Sequence, residues 1–308
     1  MKTIYLHIGT HKTGTTSLQK LLTSNRQKLL SHGYYYPASA TLPFIPGHHM
    51  LAWALLYGDS KVDDVTGVCV DLSSAWDDLL AELKSVDCDN FIISAESFSL
   101  FSSINQIRKV KTLFSGYEVK INVCLRRQDQ YFLSFYQEEV KKGYSKSLSD
   151  FIEEQKTIGD YAALIEDWAS VFGEDNISVR LFKKTSNEHE LFKDFFDQIG
   201  LTDMDVSELK HLDRKYNVSP PMKMIKFFRW MNLIFVQFLS LPKSLCWKLY
   251  LLPLQSRRPK KVFSLLPDFL FGKEIMTESL SKYILAEFTS VNREVAAKYF
   301  TEKEGALF

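Results

Sequence analysis

The chain has 308 residues, of which 45% are hydrophobic and 24% are charged. It is therefore long enough for one large globular domain or two small ones, and it is too apolar to be disordered. Its formal net charge of +1, from 38 basic and 37 acidic residues, removes the electrostatic case for nucleic acid as a partner. Only eight residues precede Gly9, so we expect neither a signal peptide nor an N-terminal anchor. The four cysteines form no C-x-x-C pair, which suits a reducing compartment, and we predict a cytoplasmic protein.

The first predicted elements are a strand, a glycine-containing loop and a helix. Residues 4–8 are apolar and β-prone, Gly9 and Gly14 follow among small hydroxyl residues, and leucines then recur at helical spacing to about position 31. A loop that enters a helix in this way presents backbone N–H groups at the helix N-terminus, where the helix dipole also favours an anion. Lys12 adds a positive charge inside the loop, so the sequence predicts an oxyanion site there.

The loop is close to the nucleotide-phosphate motif G-x-x-x-x-G-K-[ST]. Gly9 and Gly14 have its spacing, and Thr16 stands where that motif has its magnesium-binding hydroxyl. Thr15 replaces the lysine of the motif, however, and the lysine of this loop is Lys12. We therefore expect the loop to hold phosphate-like oxyanions, with ATP chemistry as the weaker interpretation and an ordinary surface turn as the alternative.

Short apolar strands then alternate with helices over the first two thirds of the chain. Strands that are apolar on both faces are typical of a parallel sheet covered by helices, so we predict an α/β fold. Ligands bind to such sheets beyond the carboxyl ends of the strands, where the glycine loop, Glu96 and Arg126 all fall. The predicted strands are residues 4–8, 91–94, 119–125 and 177–182, and the predicted helices are residues 15–31, 48–56, 71–86, 103–114, 129–142, 148–154, 161–172 and 189–199.

The last third of the chain has a different composition. Residues 222–254 are strongly apolar, but prolines interrupt them, and the longest continuous piece, 230–241, is shorter than the ~20 residues that a transmembrane helix needs. A basic cluster at 257–261 follows. Two interpretations are open: a helical subdomain packed on the core, or a peripheral contact through residues 222–261 with the inner face of an anionic membrane.

We accordingly divide the chain into three parts. Residues 1–215 form the predicted α/β core, residues 216–272 form an apolar helical insertion or subdomain, and residues 273–308 carry a C-terminal helix that packs back on the core. That last helix is predicted from an amphipathic pattern at about 277–299.

A second anion-binding group is predicted after the strand at 119–125. Arg126 leaves the strand end, and Ser134 lies about two turns into the next helix, so an arginine fork and a hydroxyl would meet a second phosphate there. Arg127 adds another positive charge beside Arg126. The alternative is that these arginines pair with acidic residues of the following helix, which are Asp129, Glu138 and Glu139.

Together these features resemble the sulfotransferases that use 3′-phosphoadenosine 5′-phosphosulfate (PAPS). The 5′-phosphosulfate loop of that family carries Lys-x-Gly-Thr-Thr, which stands here at residues 12–16, and its 3′-phosphate site pairs an arginine with a serine, here Arg126 and Ser134. The run at 7–19 is similar to a bacterial, carbohydrate-sulfotransferase-like branch, and residues 292–300 are similar to the C-terminal helix of the family. The resemblance implies a P-loop-like sulfotransferase fold with a mainly helical C-terminal part.

The resemblance also implies a role for each residue of the two sites. Lys12 would contact the oxygens that bridge sulfate and phosphate and would neutralise the leaving group, so that no metal is required. Arg126 and Ser134 would hold the 3′-phosphate, and His11 could touch the sulfonate. The residues that would bind the 5′-phosphate, largely through backbone N–H groups, are Thr13, Gly14, Thr15, Thr16 and Ser17.

The acceptor hydroxyl needs a general base. In related enzymes this base comes from the segment after the first helix, which here holds His48 and His49, and a neutral histidine suits the role. His49 is preferred over His48, and Glu96 is the rival base or a partner that orients a histidine. The alternative is that one histidine caps the helix that begins there and that the other is solvated. His7 lies within the first strand and is expected in the core.

We therefore predict that the chain transfers a sulfuryl group from PAPS to a hydroxyl of a carbohydrate or glycolipid by in-line displacement. One alternative is a small-molecule kinase that uses ATP and magnesium through the same loop, with Glu96 as the metal ligand. The other is a non-catalytic nucleotide-binding protein of the membrane surface, with residues 222–254 as its working part. Three aromatic residues could stack on a sugar ring or could equally lie in the core: Phe44, Tyr144 and Tyr161.

Overall fold

The structure is a computed structural model that describes residues 1–43, 45–62, 68–182, 188–210, 221–242 and 275–301, together with positions 245 and 263. Its strands are β1 (Thr3–Gly9), β2 (Tyr34–Tyr35), β3 (Ser60–Val62), β4 (Cys69–Asp71), β5 (Asn90–Ser94), β6 (Glu118–Leu125) and β7 (Ile177–Leu181). Its α-helices are α1 (Thr15–Ser24), α2 (Arg26–Ser31), α3 (His49–Tyr57), α4 (Ala75–Ser85), α5 (Ile104–Leu113), α6 (Gln128–Lys141), α7 (Leu148–Glu154), α8 (Tyr161–Phe172), α9 (Glu188–Gln198), α10 (Met222–Asn232), α11 (Glu278–Glu287) and α12 (Thr289–Tyr299).

The central element is a parallel sheet with β1 in its middle. Within the described residues the strand order is β2-β5-β1-β6-β7, and every neighbouring pair is parallel. β1 pairs with β5 from Thr3 opposite Asn90 to His7 opposite Ser94, so the carboxyl ends of the two strands lie side by side. The predicted α/β fold, a parallel sheet flanked by helices, is confirmed.

The two faces of the sheet carry separate apolar clusters, because successive side chains of a strand point to opposite faces. Ile4 and Leu6 of β1 enter one cluster, together with side chains of α3, α4, α5 and α8. Tyr5 enters the other cluster, together with side chains of α1 and α9. Helices therefore cover both faces, which is why β1 is buried along its whole length.

A third apolar cluster joins the C-terminal helices to α6. Phe132 of α6 and Phe151 of α7 pack there with Phe228 of α10 and with Phe288, which follows α11. The first part of the apolar segment, residues 222–232, therefore packs on the core through its buried face.

The apolar segment continues after α10 as a π-helix, Leu233–Phe238. Some of its large side chains are exposed: Trp230 at 56% and Phe238 at 86%. Among the helices that the structure describes, none combines the length and the apolarity that crossing a bilayer requires. The basic cluster at 257–261 lies outside the described residues.

Two of the predicted helices are each divided in the structure. The helix predicted at 15–31 breaks at Asn25, whose side-chain amide exchanges hydrogen bonds with the backbone of Lys210. This distant partner competes with the helical hydrogen bonds at that point, so that α1 and α2 are separate helices. The helix predicted at 277–299 is likewise divided, at Phe288.

The helix predicted at 71–86 begins later than expected, at Ala75. Asp71 instead ends β4, which pairs antiparallel with β3. The sequence analysis missed this hairpin because each of its strands has only three residues and is largely exposed, so it carries no apolar alternation.

Candidate functional site

Three neighbouring strands bring predicted site residues to one edge of the sheet. β1 ends at Gly9, and the two strands that flank it, β5 and β6, end at Ser94 and Leu125. The glycine loop, Glu96 and Arg126 follow these three ends directly. They therefore share the carboxyl edge of a parallel sheet, which is where such folds bind ligands.

The loop between β1 and α1 depends on its two glycines. Gly9 and Gly14 both have a φ of 81°, in the left-handed region that favours glycine. A Cβ atom on Gly9 would lie 2.6 Å from the Cβ of Glu96, and one on Gly14 would lie 2.6 Å from Cδ2 of Leu191. Lys12 is also left-handed, with a φ of 66°. The loop therefore packs tightly against its surroundings and holds the lysine in a strained backbone conformation.

The hydroxyl side chains of the loop mostly face the protein. The Thr13 hydroxyl donates to a carbonyl of the same loop at 2.7 Å, and Thr15 and Ser17 are buried. Thr16 is half-buried. Gly14 is the N-cap of α1 and has no side chain to accept from the first helical turn. An anion in this loop would therefore be held mainly by backbone N–H groups.

Lys12 forms an ion pair with Glu138 of α6. The Lys12 Nζ lies 2.8 Å from Oε1 of Glu138, and the Lys141 Nζ lies 2.6 Å from the same oxygen. Burial raises the pKa of Glu138, but the charges of the two lysines outweigh it and lower that pKa to about 2. The sequence analysis named Glu138 only as a partner for an arginine. Its position one helical turn after Ser134, on the same face of α6, could have indicated that Glu138 lies near the loop.

Arg126 lies against the backbone of the loop. Its Nη1 donates to the Lys12 carbonyl at 2.8 Å, and its guanidinium lies 5.2 Å from the centre of the Phe182 ring. Its Nε is buried and has no hydrogen-bond partner among the described residues. Burial lowers the pKa of Arg126. Ser134 lies half-buried on the neighbouring helix α6. The loop is thus flanked by a half-buried cation whose Nε has no partner among the described residues.

Arg127 is occupied elsewhere. Its Nε and Nη2 donate to the two carboxylate oxygens of Asp129, each at 2.8 Å. This fork confirms the alternative that Arg127 pairs with an acidic residue of the following helix.

His49, the first residue of α3, lies beside Glu96 in a chain of polar groups. Its Nε2 lies 3.3 Å from the Glu96 Oε2, which also accepts from the Gln19 amide at 2.9 Å. Its Nδ1 lies 2.8 Å from the Ser97 hydroxyl, which accepts from the Trp53 indole N–H at 3.1 Å. Because an indole N–H can only donate, the Ser97 hydrogen is free to donate to Nδ1. On this assignment the His49 proton is on Nε2 and faces the carboxylate.

Glu96 is the charged centre of this chain. Burial raises its pKa, but the electrostatic interactions with His49 and His11 and the hydrogen bond from Gln19 outweigh burial and lower the pKa. Within the described parts of the chain, no group of three or more His, Cys, Asp or Glu residues could hold a metal ion. The sequence analysis missed Gln19 and Ser97, although both are polar residues next to predicted site segments.

His48 is held by the backbone on both sides of its ring. Its Nδ1 accepts from the Ser94 N–H at 3.2 Å, and its Nε2 lies 3.2 Å from the Pro37 carbonyl, to which it can only donate. Burial lowers the pKa of His48 to about 4. Both ring nitrogens of His48 thus contact backbone groups, whereas those of His49 lie beside the side chains of Ser97 and Glu96. The geometry therefore favours His49 over His48 as the histidine of the candidate site.

The two other predicted histidines differ in their surroundings. His11 stacks on Phe135 at 5.7 Å and 14°, and its buried Nε2 has no hydrogen-bond partner among the described residues. Burial lowers the pKa of His11 to about 4, although the charge of Glu96 opposes this shift. His7 is fully buried in β1, where its Nδ1 lies 2.9 Å from the Ser94 hydroxyl. The prediction that His7 is a core residue is confirmed.

The three aromatic residues suggested for sugar stacking have different positions. Tyr161 is fully buried, and its hydroxyl donates to the Arg126 carbonyl at 2.6 Å, so the alternative that it is a core residue is confirmed and sugar stacking is excluded for it. Tyr144 is half-buried, and its hydroxyl donates to Glu154 at 2.9 Å. Phe44 lies outside the described residues.

Comparisons with known proteins give distant matches. No known protein-family profile matches the chain. Over 212 residues the chain is 28% identical to an uncharacterized protein of Archaeoglobus fulgidus, a match that covers 67% of this chain and 56% of that protein. The aligned part thus spans little more than half the length of that relative.

Two solved structures are also similar. A sulfotransferase from Alicyclobacillus acidocaldarius matches with a TM-score of 0.44 and 14% identity, over 78% of this chain and 96% of that one. Mouse sulfotransferase SULT7A1 complexed with PAP matches with a TM-score of 0.37 and 13% identity, over 99% of this chain and 87% of that one. Both TM-scores lie below 0.5, so the case for a function depends on the residues of this chain.

Proposed function

We propose that this protein is a sulfotransferase that moves a sulfuryl group from PAPS to a hydroxyl of a carbohydrate or glycolipid. The observation that carries the proposal is the convergence of three groups at one sheet edge. These are a glycine loop with its own lysine, a half-buried arginine after the next strand, and a histidine–glutamate pair after the strand on the other side. A donor with two phosphates and an acceptor hydroxyl together require these three kinds of group.

The loop and Arg126 suit the two phosphates of the sulfuryl donor. Backbone N–H groups of residues 13–17 would hold the 5′-phosphate at the start of α1. Arg126, with its unused buried Nε, and Ser134 would hold the 3′-phosphate beyond the adjacent strand. Lys12, on the loop between them, would neutralise the charge that develops on the leaving phosphate.

The reaction is an in-line displacement at sulfur. The acceptor oxygen forms a bond to sulfur while the bond from sulfur to the bridging oxygen breaks, and the electron pair leaves with adenosine 3′,5′-bisphosphate (PAP). The acceptor proton passes to a base. Positive charge on the protein near the bridging oxygen lowers the barrier, and Lys12 supplies it in this proposal.

The His49–Glu96 pair is the proposed base. The His49 Nε2 lies 3.3 Å from the Glu96 Oε2, and Gln19 and Ser97 fix the two groups from either side. Removal of either member should lower kcat by about 10²–10⁴-fold. Because the two act as a unit, the double variant should be no slower than the slower single variant. His48→Asn is the matched control, since His48 bonds only to the backbone.

The carbohydrate acceptor is supported by the side chains that continue α3 beyond the base. Trp53 and Tyr57 follow His49 at four-residue intervals and so share one helix face. Tyr57 is 53% exposed, and Lys61 lies 4.4 Å from the centre of the Trp53 ring. An exposed aromatic face with a cation beside it suits a sugar ring that carries polar or anionic substituents.

A peripheral membrane contact would bring a glycolipid to this site. Its support is the exposed apolar side chains of α10 and of the π-helix that follows it, which include Trp230 and Phe238. Lys223 and Lys226 lie on the same helix. We expect the purified protein to float with anionic vesicles and not to float with neutral vesicles.

The kinase alternative has less support in this geometry. Lys12, rather than a lysine at position 15, provides the charge of the loop. Glu96, the only strand-end carboxylate proposed as a magnesium ligand, already accepts hydrogen bonds from Gln19 and contacts His49. To bind magnesium for ATP chemistry, Glu96 would have to exchange these contacts with Gln19 and His49 for the metal ion.

The experiment that tests the function is sulfuryl transfer from radiolabelled PAPS to a panel of surface glycans, glycolipids and small phenols. We expect labelled glycan or glycolipid, and loss of labelling in Lys12→Ala with the fold retained by circular dichroism. Labelling of phenols alone would overturn the acceptor class. Phosphoryl transfer from radiolabelled ATP, without any sulfuryl transfer, would overturn the reaction itself.

A further inference from the structure

Glu138 links the loop lysine to helix α6. One of its oxygens contacts both Lys12, at 2.8 Å, and Lys141, at 2.6 Å. The side chains of Lys12 and Glu138 are 26% and 33% exposed, so solvent screens their attraction only in part. The lysine that the proposed reaction needs is therefore held by a carboxylate of the same chain.

The ion pair is arranged so that Lys12 can leave it at low cost. A carboxylate that loses its only cation in a partly buried place is strongly destabilised. Glu138 keeps Lys141 when Lys12 turns to another anion, so its charge stays compensated. Lys12 also keeps its backbone position, because Arg126 donates to its carbonyl. Only the lysine side chain has to move.

The position of Glu138 also places its charge near the proposed second phosphate. Glu138 lies four residues after Ser134 in α6, so the two side chains share one face of the helix. A carboxylate there repels a phosphate held by Ser134 and Arg126. Both effects, the competition for Lys12 and the repulsion, oppose nucleotide binding.

We propose that Glu138 is a positioning residue that competes with the nucleotide for Lys12 and so sets how tightly the loop holds its ligand. This inference rests on the proposed function, in which Lys12 contacts the sulfuryl donor. Ligand binding exchanges one salt bridge of Lys12 for another, and the negative charge of Glu138 weakens the affinity for the nucleotide.

The test is calorimetric titration of PAP into the wild type, Glu138→Gln and Glu139→Gln. Glu139 is the matched control, because it is the adjacent residue with the same charge and pairs with Lys142 at 2.7 Å. Glu138→Gln should tighten PAP binding about fivefold. This factor corresponds to the upper end of the free energy that a partly exposed ion pair contributes. Glu139→Gln should change it less than about twofold. A gain in affinity cannot come from damage to the fold.

A double-mutant cycle separates competition from simple repulsion. If Glu138 acts through Lys12, the gain from Glu138→Gln should largely disappear in a Lys12→Met background. An equal gain in that background would overturn the competition, and so would unchanged or weaker binding in Glu138→Gln alone. If the wild type binds Mg-ATP and not PAP, the proposed function fails, and the same cycle run with Mg-ATP still tests Glu138. If it binds neither nucleotide, both proposals fail.

Discussion

Replacement of Gly9 by alanine tests the packing that joins the loop to Glu96. The new Cβ atom would lie 2.6 Å from the Glu96 Cβ and 2.9 Å from its Cα. These atoms belong to the main chain and its first side-chain carbon, so they cannot swing away as a flexible side-chain end could. The φ of 81° adds strain of about 1–2 kcal/mol for an L-residue.

Gly33→Ala is the matched control. Gly33 has a similar φ of 78°, but among the described residues no atom beyond its two chain neighbours lies within 4 Å of its Cβ position. In Gly33→Ala the only cost should be backbone strain, which should lower the free energy of unfolding by about 1–2 kcal/mol. Gly9→Ala adds steric overlap, which in a packed interior costs about 1–3 kcal/mol more. Its total expected loss is therefore about 2–5 kcal/mol.

Urea denaturation followed by tryptophan fluorescence measures both losses. We expect Gly9→Ala to lose clearly more free energy of unfolding than Gly33→Ala. Equal losses in the two variants would refute the reasoning, because the loop would then not press against Glu96.

Two further predictions concern buried polar groups. Acidification from pH 6.5 toward 4 should lower the free energy of unfolding, because His7 and His48, with pKa values of about 3 and about 4, stay neutral when folded but bind protons when unfolded. In His48→Asn the dependence on pH in this window should be smaller by about 1.4 kcal/mol per pH unit, measured by urea denaturation at a series of pH values. The buried side-chain amides of Gln128 and Asn292 donate to each other at 2.6 and 3.1 Å, so Asn292→Leu should cost about 1–3 kcal/mol of the free energy of unfolding. Addition of Gln128→Leu should recover part of that loss in the same denaturation assay.

Each of these predictions has a result that would contradict it. An unchanged pH dependence in His48→Asn would mean that His48 takes up its proton equally in the folded and unfolded chains. Additive losses from Asn292→Leu and Gln128→Leu would mean that the two amides do not depend on each other.

Local patterns in the sequence predicted four of the five strands of the sheet, and the sheet edge at which the candidate site residues lie. The apolar runs of β1, β5 and β6 are short and bounded by polar residues, and parallel strands of this kind end at a common edge. The glycines of the loop have positive φ, as a strand that turns sharply into a helix requires. His7 was likewise expected in the core, because it lies inside an apolar strand.

Contacts between distant segments could not be predicted in this way. Lys12 and Glu138 are 126 positions apart, and Gln19 and Glu96 are 77 apart, so only the folded chain brings them together. The break at Asn25 has the same origin, since its side chain bonds to a backbone 185 positions away. Local propensity carries no information about such partners, and these partners determine which groups of the candidate site are charged and paired.

The most direct test of the central claim is calorimetric binding of three nucleotides to the wild-type chain: PAP, adenosine 5′-monophosphate and Mg-ATP. We expect tight binding of PAP, much weaker binding of the monophosphate and no measurable binding of Mg-ATP. The monophosphate should bind weakly because it lacks the 3′-phosphate that Arg126 and Ser134 would hold. Arg126→Ala should remove most of the difference between PAP and the monophosphate. Tight binding of Mg-ATP with no preference for PAP would contradict the claim that the loop is half of a two-phosphate site.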